Sequence, residues 1–209
     1  KKAEMAQVEV NFDRDGLVPC IAQDADTGEV LTLAYMNEES LRRTRETGLV
    51  TYFSRSRQEI WQKGEESGNV QKVRQLRIDC DGDAIVALVD PAGPACHTGE
   101  RTCFFRDLET GETPEPVDGE ALAVLARTID SRLTEKPEGS YVVKLLEDPE
   151  FAGEKVMEEA EEVTRAVREE TDDRVANEAA DVLFHLAALI RSRGITLADV
   201  GEVLNGRRA

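Results

Sequence analysis

The densest group of metal-binding side chains is Asp79-Cys80-Asp81-Gly82-Asp83, followed by Cys96-His97-Thr98-Gly99 and then Cys103. Read as a strand, the first run puts Asp79, Asp81 and Asp83 on one face and Cys80 on the other, because strand side chains alternate with period two. Carboxylate oxygens suit Mg²⁺ and thiolates suit Zn²⁺, so this segment can contribute to two different metal sites. Thiolates from Cys80, Cys96 and Cys103 would leave one position of tetrahedral zinc to water, an arrangement expected of a catalytic site. The same residues also read as a charged turn beside ordinary buried thiols. Cys20 differs, because it lies in the apolar run 17–22 and is expected in the core.

A second cluster is acidic. Glu158-Glu159-Ala160-Glu161-Glu162 packs carboxylates at helical spacing, with Glu159 and Glu162 on one face, and Glu178 and Asp181 repeat the device further on. His185 follows one turn later. Like charges at this density destabilise an isolated helix, so a buried face of this kind calls for a cation, and Mg²⁺ between facing helices is one solution. A solvated acidic face is the other reading. Against it, Glu178 and Asp181 interrupt a helix otherwise rich in Ala and Leu.

The whole chain is acidic, with 26 Lys+Arg against 43 Asp+Glu in 209 residues and a net charge of −17. Non-specific binding to nucleic acid or to an anionic membrane is therefore disfavoured. Residues 51–78 run the other way, with Arg55, Arg57, Lys63, Lys72, Arg74 and Arg77 against only Glu59, Glu65 and Glu66. That stretch is either an anion site or a solvated strand-and-loop surface. No apolar run reaches the roughly 18 residues of a membrane span, and residues 1–10 lack the pattern of a signal peptide. A soluble, cytoplasmic protein is expected, whose cysteines are reduced thiols or metal ligands.

The elements that must hold these groups fall into two sets. Residues 17–22 and 30–35 flank a turn at 24–28 and predict a β-hairpin. A helix should follow, capped by Asn37, with Glu38 and Glu39 in its first turn and Gly48 past its end. Further strands are predicted at 49–53, 70–78 and 84–89, which makes residues 1–108 an α+β domain with mainly antiparallel strands. Residues 109–119, ETGETPEPVDG, read as a linker. From 120 to 209 the chain is predicted all-helical, with helices over 121–133, 141–146, 151–170 and 174–193. The clearest apolar stripe is Val182, Leu183, Leu186, Leu189 and Ile190, closed by Gly194.

Trp61-Gln62-Lys63-Gly64 with Ser67-Gly68-Asn69-Val70-Gln71, the Asp79–Asp83 run, Ala95-Cys96-His97-Thr98-Gly99 and Cys103-Phe104 resemble, in order and spacing, the motifs of phosphoribosyl-AMP cyclohydrolase. The resemblance implies Mg²⁺ on Asp79, Asp81 and Asp83, and Zn²⁺ on Cys80, Cys96 and Cys103 across a homodimer. Opening an adenine ring at N1–C6 needs hydroxide at C6, which zinc generates by lowering the pKa of water. His97 is the candidate for proton transfer, with a structural histidine as the alternative. Trp61, Lys63, Gly64, Ser67, Gly68 and Arg55 or Arg57 are candidates for binding the substrate and its phosphates.

In the second half, E-x-x-E followed by E-x-x-D resembles the all-α MazG-like nucleotide pyrophosphohydrolases. Gly139-Ser140-Tyr141, Lys144-Leu145-Leu146, Lys155-Val156-Met157-Glu158-Glu159 and Ala180-Asp181-Val182-Leu183-Phe184-His185 resemble phosphoribosyl-ATP pyrophosphohydrolase. This implies Mg²⁺ on Glu159, Glu162, Glu178 and Asp181, with Lys144 and Lys155 as phosphate contacts. Met157 stands where a small residue is common in that family, so a packing difference is expected. The resemblance implies consecutive reactions, the product of the second half being the substrate of the first. Two other readings are a non-enzymatic zinc-stabilised module with a helical dimerisation domain, and a pyrophosphohydrolase of broad nucleotide range.

Overall fold

Val18, Cys20, Ala22 and Asp24 all face inward from β1 (Val18–Asp24), the strict alternation of a strand covered on one side. In a computed structural model describing residues 8–208, β1 pairs antiparallel with β2 (Val30–Met36), with Cys20 opposite Ala34. Residues 1–7, part of the stretch read as lacking leader character, and residue 209 lie outside the described residues. Asp24 makes the connecting turn by accepting from the N–H groups of Asp26 (2.9 Å) and Thr27 (3.1 Å).

Helix α1 (Glu38–Thr47) begins at Asn37, whose side chain accepts from Ser40 N–H while the Ser40 hydroxyl accepts from Asn37 N–H. It ends at Gly48 in the left-handed region, as predicted. Strands β3 (Thr51–Ser54), β4 (Glu59–Gln62), β5 (Gln71–Ile78) and β6 (Ile85–Pro91) complete a sheet of order β4-β3-β2-β1-β6-β5. The β1–β6 seam is parallel, and the other pairings are antiparallel. Val18, Leu31, Met36, Leu41, Val50, Tyr52 and Val89 form the core on the inward face.

The prediction for Asp79–Asp83 needs correction, because these residues form the loop between β5 and β6 rather than a strand. Asp79 accepts from the N–H groups of Asp83 (2.9 Å) and Ala84 (3.1 Å), and Gly82 takes a positive φ of 81°, so the backbone turns instead of extending. The aspartates gather because the loop closes around Asp79, not because they share a strand face.

Between β4 and β5 the chain makes a tight loop at Gly64, with φ of 82°. A Cβ there would sit 2.3 Å from the carbonyl carbon of Asn69 and 2.4 Å from Val70 N, both backbone atoms that cannot yield cheaply. Gly64→Ala should cost roughly 2–5 kcal/mol from conformation and overlap together. Denaturant melts of the two proteins measure it, and equal midpoints would contradict the packing described.

The chain divides into two units between Glu115 and Pro116. Part of the stretch read as linker has local order: Asp107 N–H donates to Glu112 (2.7 Å), its side chain caps Glu109 and Thr110, and residues 118–120 make one 3₁₀ turn. The second unit contains α2 (Ala121–Glu135), α3 (Tyr141–Glu147), α4 (Pro149–Glu169), α5 (Asp172–Ser192) and α6 (Leu197–Gly206). Ser140 caps α3, and Asp148 caps α4 just before Pro149 at its first position. Ile129, Leu145, Leu146, Ala152, Ala187 and Ala188 form the core.

Helix α5 buries a face that the predicted stripe marks only in part. Phe184, Ala187, Ala188 and Leu189 pack inward, whereas Leu183 and Leu186 are exposed, so the predicted stripe mixes two faces of the run 182–190, which is apolar except for His185. Helix α6, which the prediction did not single out, is capped by Thr196 with Asp199 and has no buried residue. Met157 is 71% exposed, so its bulk alters no packing inside the unit. Among the described residues no helix is long and apolar enough to cross a membrane.

Candidate functional site

In the first unit an open cavity of about 600 Å³ brings together Trp61, Lys63, Gly64 and Ser67 from the loop side with Cys96, His97 and Cys103 from the segment after β6. Pairing of β3 with β4 sets Tyr52 opposite Trp61, and their rings lie 5.3 Å apart at 45°. Tyr52 was not singled out from sequence; it is fully buried, and its hydroxyl donates to the Gln71 side chain at 3.1 Å. Lys63 is only 8% exposed and lines the cavity, and no described carboxylate forms an ion pair with it.

Two predicted contacts do not line this cavity. Gly68 N–H closes the loop onto the Gly64 carbonyl at 2.8 Å, a structural task, and the Arg55 guanidinium lies 3.9 Å from the Tyr35 ring centroid. Arg57 does line it, and pairs with Glu59 at 3.0 Å.

The thiols at the cavity are inequivalent. The Thr98 hydroxyl donates to Cys96 Sγ at 3.1 Å and is the main reason its pKa lies below the ordinary thiol value. Burial pushes Cys103 up, opposed by the Thr32 hydroxyl beside it and by Lys63. Cys80 is exposed on the aspartate loop, 3.8 Å from Asp81 Oδ1, and does not line the cavity. Cys20 is buried on β1, as expected, and burial pushes it from 9.0 up to about 12.

A pH prediction follows from these thiols. In metal-free protein, iodoacetamide should modify Cys96 at the lowest pH and Cys20 last, read by mass spectrometry. Folded protein keeps a proton on Cys20 that the unfolded chain releases, so this thiol lowers stability as pH rises from about 9 to about 12. Modification of Cys20 alongside Cys96 in folded protein would contradict the assignment.

The carboxylate oxygens of Asp79, Asp81 and Asp83 lie within 4.8 Å of one another. Asp83 is pushed up by its hydrogen bond to Asp79 and by the charges of Asp81 and Asp79, a repulsion that a cation would relieve.

In the second unit, α4 and α5 place Glu159, Glu178 and Asp181 within 4.8 Å of one another, with Glu159 9% and Glu178 3% exposed. This burial does not fit a solvated acidic face. Burial pushes Glu178 above its usual range, against the pull of Arg174. Glu162 stands outside that set of three and faces Arg165 at 3.7 Å and Arg174 at 4.0 Å. Lys155 meets Glu158 at 2.6 Å and Glu159 at 3.3 Å, while Lys144 is not among the acids and lies over the Phe151 ring. Arg174, which was not anticipated, bonds to Glu178 and lies 3.2 Å from Glu170; its place four residues before Glu178 was the available signal. His185 is buried, with Nε2 3.0 Å from the Tyr141 hydroxyl and Nδ1 2.8 Å from the Asp181 carbonyl.

In the first unit thiols line a cavity beside a buried lysine, and in the second carboxylates cluster between two helices; these groups suit metal ions and phosphate, and the class they point to is a two-unit hydrolase. A family profile for phosphoribosyl-AMP cyclohydrolase matches residues 32–105, and one for phosphoribosyl-ATP pyrophosphohydrolase matches residues 122–208. The chain is 48% identical over 200 residues to the histidine biosynthesis bifunctional protein HisIE of Thermus thermophilus, covering 93% of this chain and 90% of that one. Against the protein of the same name from Bacillus subtilis it is 46% identical, covering 96% of each chain, and against that from Pyrococcus furiosus 47%, again covering 96% of each. The chain therefore belongs to the family of bifunctional histidine-biosynthesis hydrolases, with the cyclohydrolase in its N-terminal half and the pyrophosphohydrolase in its C-terminal half.

Proposed function

We propose that the helical unit, a MazG-like fold, cleaves phosphoribosyl-ATP to phosphoribosyl-AMP and pyrophosphate, and that the sheet unit then opens the adenine ring of phosphoribosyl-AMP at N1–C6. The observation that carries this reading is the cavity where thiols, an aromatic wall and a buried lysine meet. Trp61 offers a flat face to the purine, and the Lys63 ammonium supplies a cation for a phosphate. The loop closed at Gly64 keeps Ser67 at the rim. His97, exposed at the cavity mouth 3.9 Å from Cys96 Sγ, takes or delivers the proton that ring opening requires.

The donor sets fit two metals. Asp79, Asp81 and Asp83, and separately Glu159, Glu178 and Asp181 with Glu162 nearby, are hard oxygen sets suited to Mg²⁺, and the thiols of Cys96 and Cys103 with Cys80 suit Zn²⁺. When bound, zinc supplies hydroxide at neutral pH, and magnesium orients water and neutralises charge on the leaving pyrophosphate. Lys155 holds Glu159 in place, and the Tyr141–His185 contact ties α3 to the acid-bearing turn of α5. One chain gathers Cys96 and Cys103 at the cavity but leaves Cys80 elsewhere, which supports a site completed by a second copy in a homodimer. The exposed Leu183, Leu186, Val203 and Leu204 give such a dimer apolar surface to bury. Four free cysteines fit a reducing, cytoplasmic setting.

The test supplies phosphoribosyl-ATP with Mg²⁺ and Zn²⁺ and follows pyrophosphate together with the ultraviolet change on ring opening. Pyrophosphate should appear first and the absorbance change should lag behind it. Turnover of common dNTPs with equal kcat/KM, and no absorbance change, would replace this reading with that of a broad nucleotide pyrophosphohydrolase.

A further inference from the structure

The segment from Ala95 to Cys103 carries two thiols and a histidine to the cavity, yet it contains no helix or strand. Something other than a regular ladder must set its shape. Ala95 N–H donates to the Arg101 carbonyl and Cys96 N–H to the Glu100 carbonyl, each at 3.0 Å, which folds the segment back on itself. Its end is laid along β2, where Cys103 N–H donates to the Leu31 carbonyl and the Thr102 hydroxyl to the Val30 carbonyl, each at 2.7 Å. Strand β3 registers with β2 further along, at Tyr35 and Phe53, which leaves the Val30–Leu31 end of β2 open to this segment.

Arg101 links the two halves of that arrangement. Its Nη2 donates to Asp24 Oδ2 at 2.6 Å and its Nε donates to Glu29 Oε2. These carboxylates flank the β1–β2 turn, and Asp24 is 5% exposed. The other oxygen of Asp24 already holds the turn through Asp26 and Thr27, so the anchor is itself fixed by backbone. A planar guanidinium can satisfy both carboxylates in one orientation, which a lysine ammonium on a flexible stem cannot reproduce.

We propose that Arg101 is a positioning residue of the cyclohydrolase site, its two-pronged ion pair with Asp24 and Glu29 fixing where the Cys96 and Cys103 thiols stand at the cavity. The proposal rests on the zinc reading above. Both thiols sit within five residues of Arg101, on either side of it, so rotation of this guanidinium away from the turn would move both. Asp24 and Glu29 also lie before residue 32, where the cyclohydrolase profile match begins.

The experiment is Co²⁺ titration of the full-length chain, reading the near-ultraviolet thiolate-to-cobalt charge-transfer band. All four cysteines lie in the first unit, so the band reports on that unit alone. Arg101→Met should weaken Co²⁺ binding about 10- to 100-fold, the range typical for groups that orient metal ligands, and Arg101→Lys should fall between it and wild type. The kcat for ring opening should drop with little change in KM for phosphoribosyl-AMP. Wild-type Co²⁺ affinity and band shape in both variants, with only a lower melting temperature, would show a merely structural role and overturn the proposal. If Arg101→Met does not fold, Glu29→Gln, which removes one prong and leaves Asp24 paired, decides the matter: unchanged Co²⁺ affinity overturns it. Absence of the band in wild type would instead remove the zinc reading, and the proposal with it.

Discussion

Mixing inactive Cys80→Ser protein with inactive Cys96→Ser protein, under conditions that let subunits exchange, should restore ring opening to about a quarter of the wild-type rate. The reason lies in the placement of the thiols. Cys96 and Cys103 line one cavity, while Cys80 sits on the aspartate loop between β5 and β6. In the proposed C₂ dimer each zinc set takes Cys80 from one chain and Cys96 with Cys103 from the other. A mixed dimer then collects both lesions in one site and leaves the other intact. With free exchange about half the dimers are mixed and half of their sites work. Had one chain supplied all three thiolates, every site would carry a lesion and no activity would return. Persistent inactivity, with exchange confirmed by a tagged subunit, would therefore dispose of the shared site.

Glu159→Gln should lower pyrophosphate release on the order of 100-fold or more while leaving ring opening of added phosphoribosyl-AMP intact. Glu159 is buried against Glu178 and Asp181, so its charge is available to a metal and poorly screened by solvent. Glu158→Gln is the internal control. That neighbour is exposed and engages Lys155 at 2.6 Å, so losing its charge should change either reaction little. The two activities separate because their acids and thiols belong to different units, divided between Glu115 and Pro116. Loss of both activities in a folded Glu159→Gln protein would argue against independent sites.

The helix from Glu38 to Thr47 was legible down to its caps, because Asn37 and Gly48 act through local hydrogen bonds and backbone conformation that neighbouring residues alone decide. The gathering of Asp79, Asp81 and Asp83 was also legible, though for the wrong reason: alternation along a strand was assumed, and a loop closed by the Asp79 side chain does the work. β4 escaped notice because four residues at a sheet edge, none of them fully buried, are too few to show a period. On α5, the stripe singled out Leu183 and Leu186, which are exposed, and passed over Phe184, Ala187 and Ala188, which pack inward. Arg101 and Arg174 could not be found by composition. Arg101 meets Asp24 and Glu29 across more than 70 positions of chain, a pairing only the folded sheet reveals.

The parallel seam between β1 and β6 has a consequence for synthesis. Strands β1 to β4 form a run of sequential neighbours ending at Gln62, and β5 with β6 form a hairpin of their own, so each group can assemble from local contacts. Joining them requires Cys20 to find Ile85 along the chain, and until Pro91 has left the ribosome β1 presents an unpaired apolar edge. Cys20 lies on that edge, accessible to a thiol reagent before the seam closes and shielded afterwards. Pulse alkylation of nascent or refolding chains would therefore time a single event, the docking of the β5–β6 hairpin. That step should be the slowest in folding of the first unit and the one most exposed to aggregation.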